Sequence, residues 1–98
     1  MIRAFLQDGG KMERGHYTYM LRCADGTIYT GYAVDPEARL DVHNSGKGAK
    51  YTRARRPVEL VYYEIFDNKG DALRREIELK KISRKEKEQL IDNFENSK

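Results

Sequence analysis

Five side chains spread along this sequence are of types that could carry chemistry on a phosphate: Tyr19, Tyr29, Arg39, His43 and Glu76. An arginine fork matches the oxygens of a phosphate, and a histidine can exchange a proton near neutral pH. A carboxylate is a preferred ligand of Mg²⁺. A phenol can accept a proton if nearby cations or a metal lower its pKa from about 10.

Each of these residues also has a purely structural explanation. Tyrosines favour strands and half-buried surfaces, while Arg39 and His43, four residues apart, would form an ordinary surface pair on one helix face. Glu76 lies at the edge of an apolar stripe around Ile77, where its carboxylate would point toward a sheet. Lys80, four residues after Glu76, also permits a simple Glu–Lys helix pair. The residue types alone leave both interpretations open.

A β-hairpin over residues 17–34 must position the two tyrosines. The flanking segments are rich in aromatic and β-branched residues, and Asp25-Gly26 supplies a turn between them. A two-residue turn and a three-residue loop are both compatible with this sequence, and the one-residue difference flips every side chain to the opposite face. Only the three-residue loop, with its glycine in the left-handed conformation, places Tyr19 and Tyr29 on the same face.

Downstream residues predict three helices and one further strand. Asp35-Pro36 is typical of a helix start, and Gly46 follows the last helical residue. The predicted elements are a helix over 36–45, a strand over 58–66, a helix over 71–82 and a helix starting at the Ser83–Glu86 capping box, with Leu90, Ile91 and Phe94 facing inward. The order β-β-α-β-α-α predicts an α+β fold, a small three-stranded antiparallel sheet with helices packed on it.

Two features of these elements carry specific expectations. The apolar run of strand 58–66 predicts that this strand is the central and best-buried one. The helix over 71–82 has its predicted apolar stripe at Leu73 and Ile77. Gly31 interrupts a strand, which indicates either a bulge or the close approach of another group.

The chain length of 98 residues predicts one domain with a small core. We expect a flexible extension over 1–15, a domain over 16–95 and a tail over 96–98, with Met12 as an alternative start. No apolar run is long enough for a transmembrane helix, and no secretory signal is apparent. Cys23 is the single cysteine, which excludes an internal disulfide. A cytoplasmic monomer is the resulting expectation.

Positive charge is concentrated in one segment of an otherwise balanced chain. The net charge is +3, but residues 39–56 carry six basic residues and one acidic residue. Besides Arg39, the basic residues are Lys47, Lys50, Arg53, Arg55 and Arg56. Such a patch favours a localised anionic partner such as nucleic acid, with a solvated basic loop or a membrane-surface contact as the alternatives.

Taken together, the motifs resemble the GIY-YIG nuclease domain over residues 17–91. The resemblance rests on Tyr17-Thr18-Tyr19, Tyr29-Thr30-Gly31, Arg39 eight residues after that glycine, and a helical Glu76. The sequence around the basic segment is most similar to small stand-alone bacterial members of the family. Tyr32 stands where the repair-nuclease branch has a lysine.

The resemblance implies phosphodiester hydrolysis with Mg²⁺ or Mn²⁺, and a nucleic-acid substrate, DNA rather than RNA. It implies that Tyr29 activates the attacking water, supported by Tyr19, and that Arg39 holds the scissile phosphate. It further implies that Glu76 ligates the metal, and that His43 is an alternative base or a phosphate contact. The basic segment would hold the nucleic-acid backbone beside this site.

Two other functions are compatible with the same residues. The tyrosine at position 32 and the absence of room for a specificity domain favour a module that binds nucleic acid with little or no turnover. The charged segment 83–94 could instead dock on a protein partner. The nuclease hypothesis predicts that Arg39 and Glu76 are essential for cleavage, whereas the binding module predicts salt-dependent affinity that does not need Glu76.

Overall fold

In a computed structural model, residues 12–97 are described. Across these residues the chain forms β1 (His16–Arg22), β2 (Ile28–Ala33), α1 (Pro36–Asn44), α2 (Lys50–Arg53), β3 (Glu59–Phe66), α3 (Lys69–Lys81) and α4 (Arg84–Asn96). The predicted α+β class is confirmed. The added element is α2, a single short helix within the basic segment that the sequence predicts as a loop.

The sheet is antiparallel in the order β2-β1-β3, so the prediction of β3 as the central strand is wrong. β1 pairs with both neighbours, and five consecutive residues from Tyr17 to Leu21 are buried. β3 is an edge strand whose ends are partly or fully exposed. Its apolar run reflects packing against helices, since Val61, Tyr62 and Tyr63 are all buried. On α4, the Phe94 ring meets the Tyr63 ring edge to face at 4.9 Å.

The β1–β2 hairpin adopts the register of the three-residue loop. The Cys23 amide donates to the Thr27 carbonyl at 2.8 Å, and Gly26 has the left-handed φ of 86° that this loop requires. Tyr19 then lies opposite Gly31, and Leu21 lies opposite Tyr29. Because alternate residues share a face, the side chains of Tyr19 and Tyr29 lie on the same side of the sheet.

The predicted starts of α1 and α4 are confirmed by their caps, whereas α3 begins at Lys69, two residues before the predicted start, because Asn68 caps it by accepting a hydrogen bond from the Asp71 amide. The Asp35 carboxylate accepts a hydrogen bond from the Ala38 amide at 3.1 Å, and Pro36 occupies the first helical position. Ser83 and Glu86 form the complete capping box at the start of α4. These caps orient α1 and α4 against the sheet, with Ile91 and Phe94 buried as predicted.

The buried face of α3 differs from the predicted stripe. Ile77 is 55% exposed, whereas Ala72 and Leu79 are fully buried. Residues four and three apart share a helix face, so Glu76 lies between these two buried residues rather than at the margin of the packed face. The physical reason is that Thr18 of β1 donates a hydrogen bond to the Ala72 carbonyl at 2.6 Å, which sets the rotation of α3.

Residues 12–15 contact the domain. The Met12 amide donates to the Glu37 carboxylate at 3.2 Å, and the Tyr17 hydroxyl donates to the Glu13 carbonyl at 2.6 Å. The predicted extension otherwise lies outside the described residues, as does residue 98. Within residues 12–97, no helix is long and apolar enough to cross a membrane.

Candidate active site

Tyr19 is the centre of the candidate site. Its side chain is 1% exposed, and its ring crosses β2 over Gly31, where a Cβ atom would lie 2.7 Å from the phenolic oxygen. The β1–β2 pairing continues without a shift through this point. Of the two explanations for Gly31, the structure therefore supports close approach of another group and not a bulge in this pairing.

A hydrogen-bond chain behind Tyr19 defines the protonation of His43. The Thr52 hydroxyl donates to the Ala49 carbonyl at 2.9 Å, so its oxygen must accept from His43 Nδ1 at 2.8 Å. With its proton on Nδ1, neutral His43 presents the Nε2 lone pair to the Tyr19 hydroxyl at 3.0 Å. Tyr19 is therefore the donor in that bond, and its oxygen stays available as an acceptor.

His43 is fully buried, and both of its ring nitrogens are bonded within the domain. Gly48 crosses the ring so closely that a Cβ there would lie 2.4 Å from Nδ1. Burial, followed by the positive charge of Arg39, lowers the pKa of His43. His43 thus lies behind Tyr19 in its neutral form, instead of facing outward as the surface residue that the helical spacing permits.

Arg39 and Glu76 both act electrostatically on the Tyr19 phenol. Burial is the largest cause that raises the pKa of Tyr19, and the neighbouring Tyr29 raises it further. The Arg39 guanidinium lowers this pKa by its charge and by a hydrogen bond, and the Glu76 carboxylate raises it. Side chains from α1 and α3 therefore come within interaction range of one phenol on β1.

Tyr29 lies between the buried residues and the surface. Its ring centroid is 6.4 Å from that of Tyr19 and 5.1 Å from that of His43. It also stacks on Tyr51 of α2, with centroids 6.0 Å apart. Tyr29 is half-buried, whereas Tyr19 is almost fully buried.

The Glu76 carboxylate is the acidic group of this site. Its side chain is 18% exposed, and Lys80 contacts it at 3.0 Å. Across residues 12–97 no cluster of three or more His, Cys, Asp or Glu side chains could hold a metal ion. Any ion here would take one carboxylate from the protein, so its other ligands would be phosphate oxygens and water, an arrangement that Mg²⁺ accepts.

Comparison with known proteins defines the family. Residues 15–89 match the family model described as the GIY-YIG catalytic domain. The chain belongs to the GIY-YIG family. This is a nuclease-type family, and the match includes every element that contributes to the Tyr19 site.

Relatives of this GIY-YIG chain are small proteins of similar extent. The UPF0213 protein SSP2268 of Staphylococcus saprophyticus is 58% identical over 76 residues, which cover 78% of this chain and 93% of that protein. The UPF0213 protein SH2523 of Staphylococcus haemolyticus is 53% identical over 77 residues, covering 79% and 94%.

Two solution NMR structures are also similar to this GIY-YIG chain. The UPF0213 protein BH0048 from Bacillus halodurans has 52% identity and a TM-score of 0.51, covering 79% of this chain and 82% of its own. The protein EF2693 from E. faecalis has 44% identity and a TM-score of 0.57, covering 87% and 91%.

The basic segment divides into two groups in the GIY-YIG structure. Lys47, Lys50 and Arg53 are exposed, and their charged groups form no ion pair or hydrogen bond with the described residues. Arg55 instead pairs with Asp25 at 3.0 Å, and Arg56 donates to the Arg53 carbonyl at 2.9 Å. Only the first group is free to meet a nucleic-acid backbone without breaking internal bonds.

Tyr32 stands at the position for which the resemblance gives a lysine in the repair-nuclease branch. The Tyr32 hydroxyl bonds to His16 Nδ1 at 2.8 Å, and the Lys69 ammonium lies 5.6 Å from the centre of the ring. A cation is therefore present at this position of the GIY-YIG fold, but it comes from the start of α3 and contacts the ring face.

Two residues of the site were missed by the sequence analysis. Thr52 fixes the tautomer of His43, and Tyr51 stacks on Tyr29. Both lie in the basic segment, and they are uncharged, so the charge pattern that singles out this segment does not point to them. The available signal for Tyr51 was an aromatic residue interleaved with cations, a pattern typical of nucleic-acid binding.

Replacing Gly31 with alanine tests the close approach of Tyr19. The new methyl group would lie 2.7 Å from the Tyr19 oxygen and 3.1 Å from the Tyr29 ring, so the buried phenol must move away from His43. We expect a loss of about 1–3 kcal/mol in the free energy of unfolding, measured by urea denaturation.

The control is Gly70→Ala, the same substitution in the first turn of α3. There the added Cβ would meet only Asn68 Oδ1 at 3.4 Å, and alanine favours helix by about 0.5–1 kcal/mol. We expect this variant to be at least as stable as wild type. A Gly31→Ala protein of undiminished stability would show that the Tyr19 ring is not confined by β2.

Proposed function

We propose that this protein is a metal-dependent endonuclease that hydrolyses phosphodiester bonds, with DNA as the expected substrate. One observation carries the proposal: a phenol, an arginine and a carboxylate from separate elements all lie within electrostatic range of the Tyr19 side chain. The three groups are Tyr29 of β2, Arg39 of α1 and Glu76 of α3. Their types match the chemistry that phosphoryl transfer needs, which is positioning and charge neutralisation.

In the proposed reaction, the oxygen of a water molecule forms a bond to phosphorus while the ester bond to the leaving oxygen breaks. The Tyr29 hydroxyl would orient this water and relay its proton, accepting it while its own proton passes to bulk water. The exposed Arg39 guanidinium binds the non-bridging oxygens and stabilises the charge that develops on them. A proton from bulk water completes the leaving group.

Tyr19 and His43 are positioning residues in this scheme. Because the Tyr19 proton is directed to His43 Nε2, the phenolic oxygen can accept a hydrogen bond from Arg39. That bond would aim the guanidinium at the phosphate, and Thr52 holds His43 in the required tautomer. Preorganised groups of this kind need no rearrangement in the transition state.

Glu76 is the residue that would hold Mg²⁺ or Mn²⁺. A single carboxylate beside an open surface fits a hard ion that retains water and phosphate ligands. When bound, the ion would supply Lewis-acid polarisation of the phosphate. Lys80, which contacts the Glu76 carboxylate at 3.0 Å, would give up this partner and be available to the substrate backbone.

The exposed cations Lys47, Lys50 and Arg53 support a nucleic-acid substrate. They lie on or before α2, the element that carries Thr52 and Tyr51. Phosphate contacts of this type position a nucleic acid without reading its sequence. The affinity they supply falls as the salt concentration rises.

A panel of nucleic acids tests the proposed function. Single-stranded, duplex, flapped and four-way-junction DNA, together with RNA, would be incubated with the protein and Mg²⁺ or Mn²⁺. We expect cleavage of at least one DNA by wild type, and loss of cleavage with EDTA. Tyr29→Phe should also abolish cleavage, because it removes the hydroxyl while keeping the ring that stacks on Tyr51.

The same gels separate the two functions that the sequence permits. If a substrate is retained on the gel but is not cleaved with either Mg²⁺ or Mn²⁺, the result would support the nucleic-acid-binding module and overturn the proposed nuclease activity. Cleavage that is equal in wild type and Tyr29→Phe would assign the activity to a contaminant or to another group. Cleavage of RNA alone would correct the substrate class.

A further inference from the structure

A groove opens beside Tyr29, and His43 is not part of its lining. It has a volume of about 260 Å³ and is lined by Ile28, Tyr29, Thr30, Tyr51, Lys80 and Lys87. One wall is aromatic, and α3 and α4 each place a lysine along it. The groove adjoins the proposed reaction centre through two shared groups, the Tyr29 ring and the Lys80–Glu76 ion pair.

Tyr51 is held firmly in the aromatic wall although it is 39% exposed. Its ring stacks on Tyr29 at an interplanar angle of 30°, and the Arg55 guanidinium lies 4.0 Å from the ring centre. Arg55 is itself fixed, since it bonds to the Tyr51 carbonyl at 2.7 Å and to Asp25 at 3.0 Å. A ring held in this way is preorganised, and the part of it that lines the groove, whose lining does not include Arg55, can pack against another flat group.

The charges along the groove favour a phosphate-linked partner. Lys80 and Lys87 lie on its lining, which contains no acidic residue. The nearby carboxylates are already engaged, Glu76 with Lys80 and Asp25 with Arg55. Aromatic rings beside cations are the combination with which proteins hold single-stranded nucleic acid.

We propose that this groove binds an unpaired nucleotide next to the scissile phosphate, with its base packed against Tyr51 and its flanking phosphates near Lys80 and Lys87. The inference rests on the proposed nuclease function and names its substrate class. In a duplex both faces of a base are covered by its neighbours, so only an unpaired or splayed base can enter. The substrate would therefore contain a single-stranded stretch at the cleavage point.

Two single-stranded DNA probes of equal length isolate the contribution of the base. One is oligo(dT), and the other has the same phosphate backbone with abasic sugars in place of the nucleotides. Fluorescence anisotropy at one salt concentration gives the affinity of each probe, and the ratio of the two affinities measures base contact. We expect wild type to favour oligo(dT) by roughly 5- to 100-fold, the range for stacking of one base.

Tyr51→Ala should bring that ratio close to one while leaving the affinity for the abasic probe nearly unchanged. Ile77→Ala is the matched control, because Ile77 is the other exposed large apolar side chain of the described residues and lies outside the groove. It should keep the wild-type ratio. Lys87→Ala, which leaves the aromatic wall intact, should lower the affinity for both probes by the same factor and reduce the salt dependence of that affinity.

The outcomes distinguish this inference from the proposed function. Equal binding of the two probes by wild type would overturn the nucleotide subsite while the nuclease proposal stands. A folded Tyr51→Ala protein with the wild-type ratio would also overturn the subsite alone. So would a Lys87→Ala protein that binds both probes with wild-type affinity. Failure to bind either probe or any DNA of the panel would overturn both proposals. A ratio that falls only in Tyr51→Ala supports the subsite.

Discussion

Arg39→Ala is expected to reduce the cleavage rate by about 10²–10³-fold, the usual cost of removing one preorganised donor to a developing negative charge. Arg39 is exposed on α1, yet it is coupled to the buried Tyr19 phenol. The guanidinium is therefore accessible to a phosphate, and its interaction with the Tyr19 phenol orients it. Single-turnover cleavage at saturating protein measures this effect separately from binding.

Arg39→Lys provides the sharper comparison, because it keeps the charge and removes the planar fork. Lysine contacts a phosphate as a point charge, whereas arginine makes paired hydrogen bonds. We expect Arg39→Lys to recover only a minor part of the lost rate. Arg53→Ala, which removes an exposed arginine of the basic segment, should weaken binding and leave the rate at saturation unchanged.

The assignment of Arg39 depends on this contrast. If both Arg39 variants cleave at the wild-type rate once saturated, Arg39 belongs to the binding surface and not to the reaction centre. If Arg53→Ala slows the saturated rate as strongly as Arg39→Ala, the two arginines act together, and the proposed division of the basic residues is wrong.

Glu76→Gln is expected to lower cleavage to the level seen with EDTA. A metal ion at a phosphate contributes several kcal/mol of charge stabilisation, so the rate should fall by at least about a hundredfold. Glutamine preserves the shape of the side chain and its place between Ala72 and Leu79. The measurement is the cleavage rate as a function of Mn²⁺ concentration, for a variant shown by circular dichroism to be folded.

Glu78→Gln is the matched control for Glu76→Gln. Glu78 lies on the same helix and pairs with Arg75 at 3.1 Å, but its side chain is 63% exposed. Residues two positions apart, such as Glu76 and Glu78, do not share a helix face. Removal of an exposed pair of this kind has little effect on stability. We expect Glu78→Gln to show the wild-type Mn²⁺ dependence. Equal losses in the two variants would indicate that the net charge of α3, and not a ligand at Glu76, controls the activity.

Several features of this protein could be predicted because they depend on neighbouring residues. Gly26 closes the hairpin, Asp35-Pro36 begins α1, and the Ser83–Glu86 pair begins α4. Each is decided by hydrogen bonds or backbone conformations within a few positions. The choice between the two hairpin registers was open, since turn residues alone permitted both.

The members of the candidate site could be predicted from residue types, but the burial of one of them could not. Type, order and family resemblance predict Tyr19, Tyr29, Arg39 and Glu76, and in the folded chain the last three lie within electrostatic range of the Tyr19 phenol. Their catalytic roles stay predictions. The burial of His43 was not foreseeable from its spacing to Arg39, because it depends on Gly48 and Thr52 crossing the ring from another segment.

The local elements other than α2, the α+β class and the set of reactive side chains follow from the sequence alone, because propensities, caps and motifs are properties of short segments. The central position of β1, the exposure of Ile77 and the role of Thr52 in setting the tautomer of His43 become clear only from the packed chain. Strand order and helix rotation follow from contacts between residues far apart in the chain. Such contacts leave no periodic signal in either partner, so they become visible only when the segments are packed together.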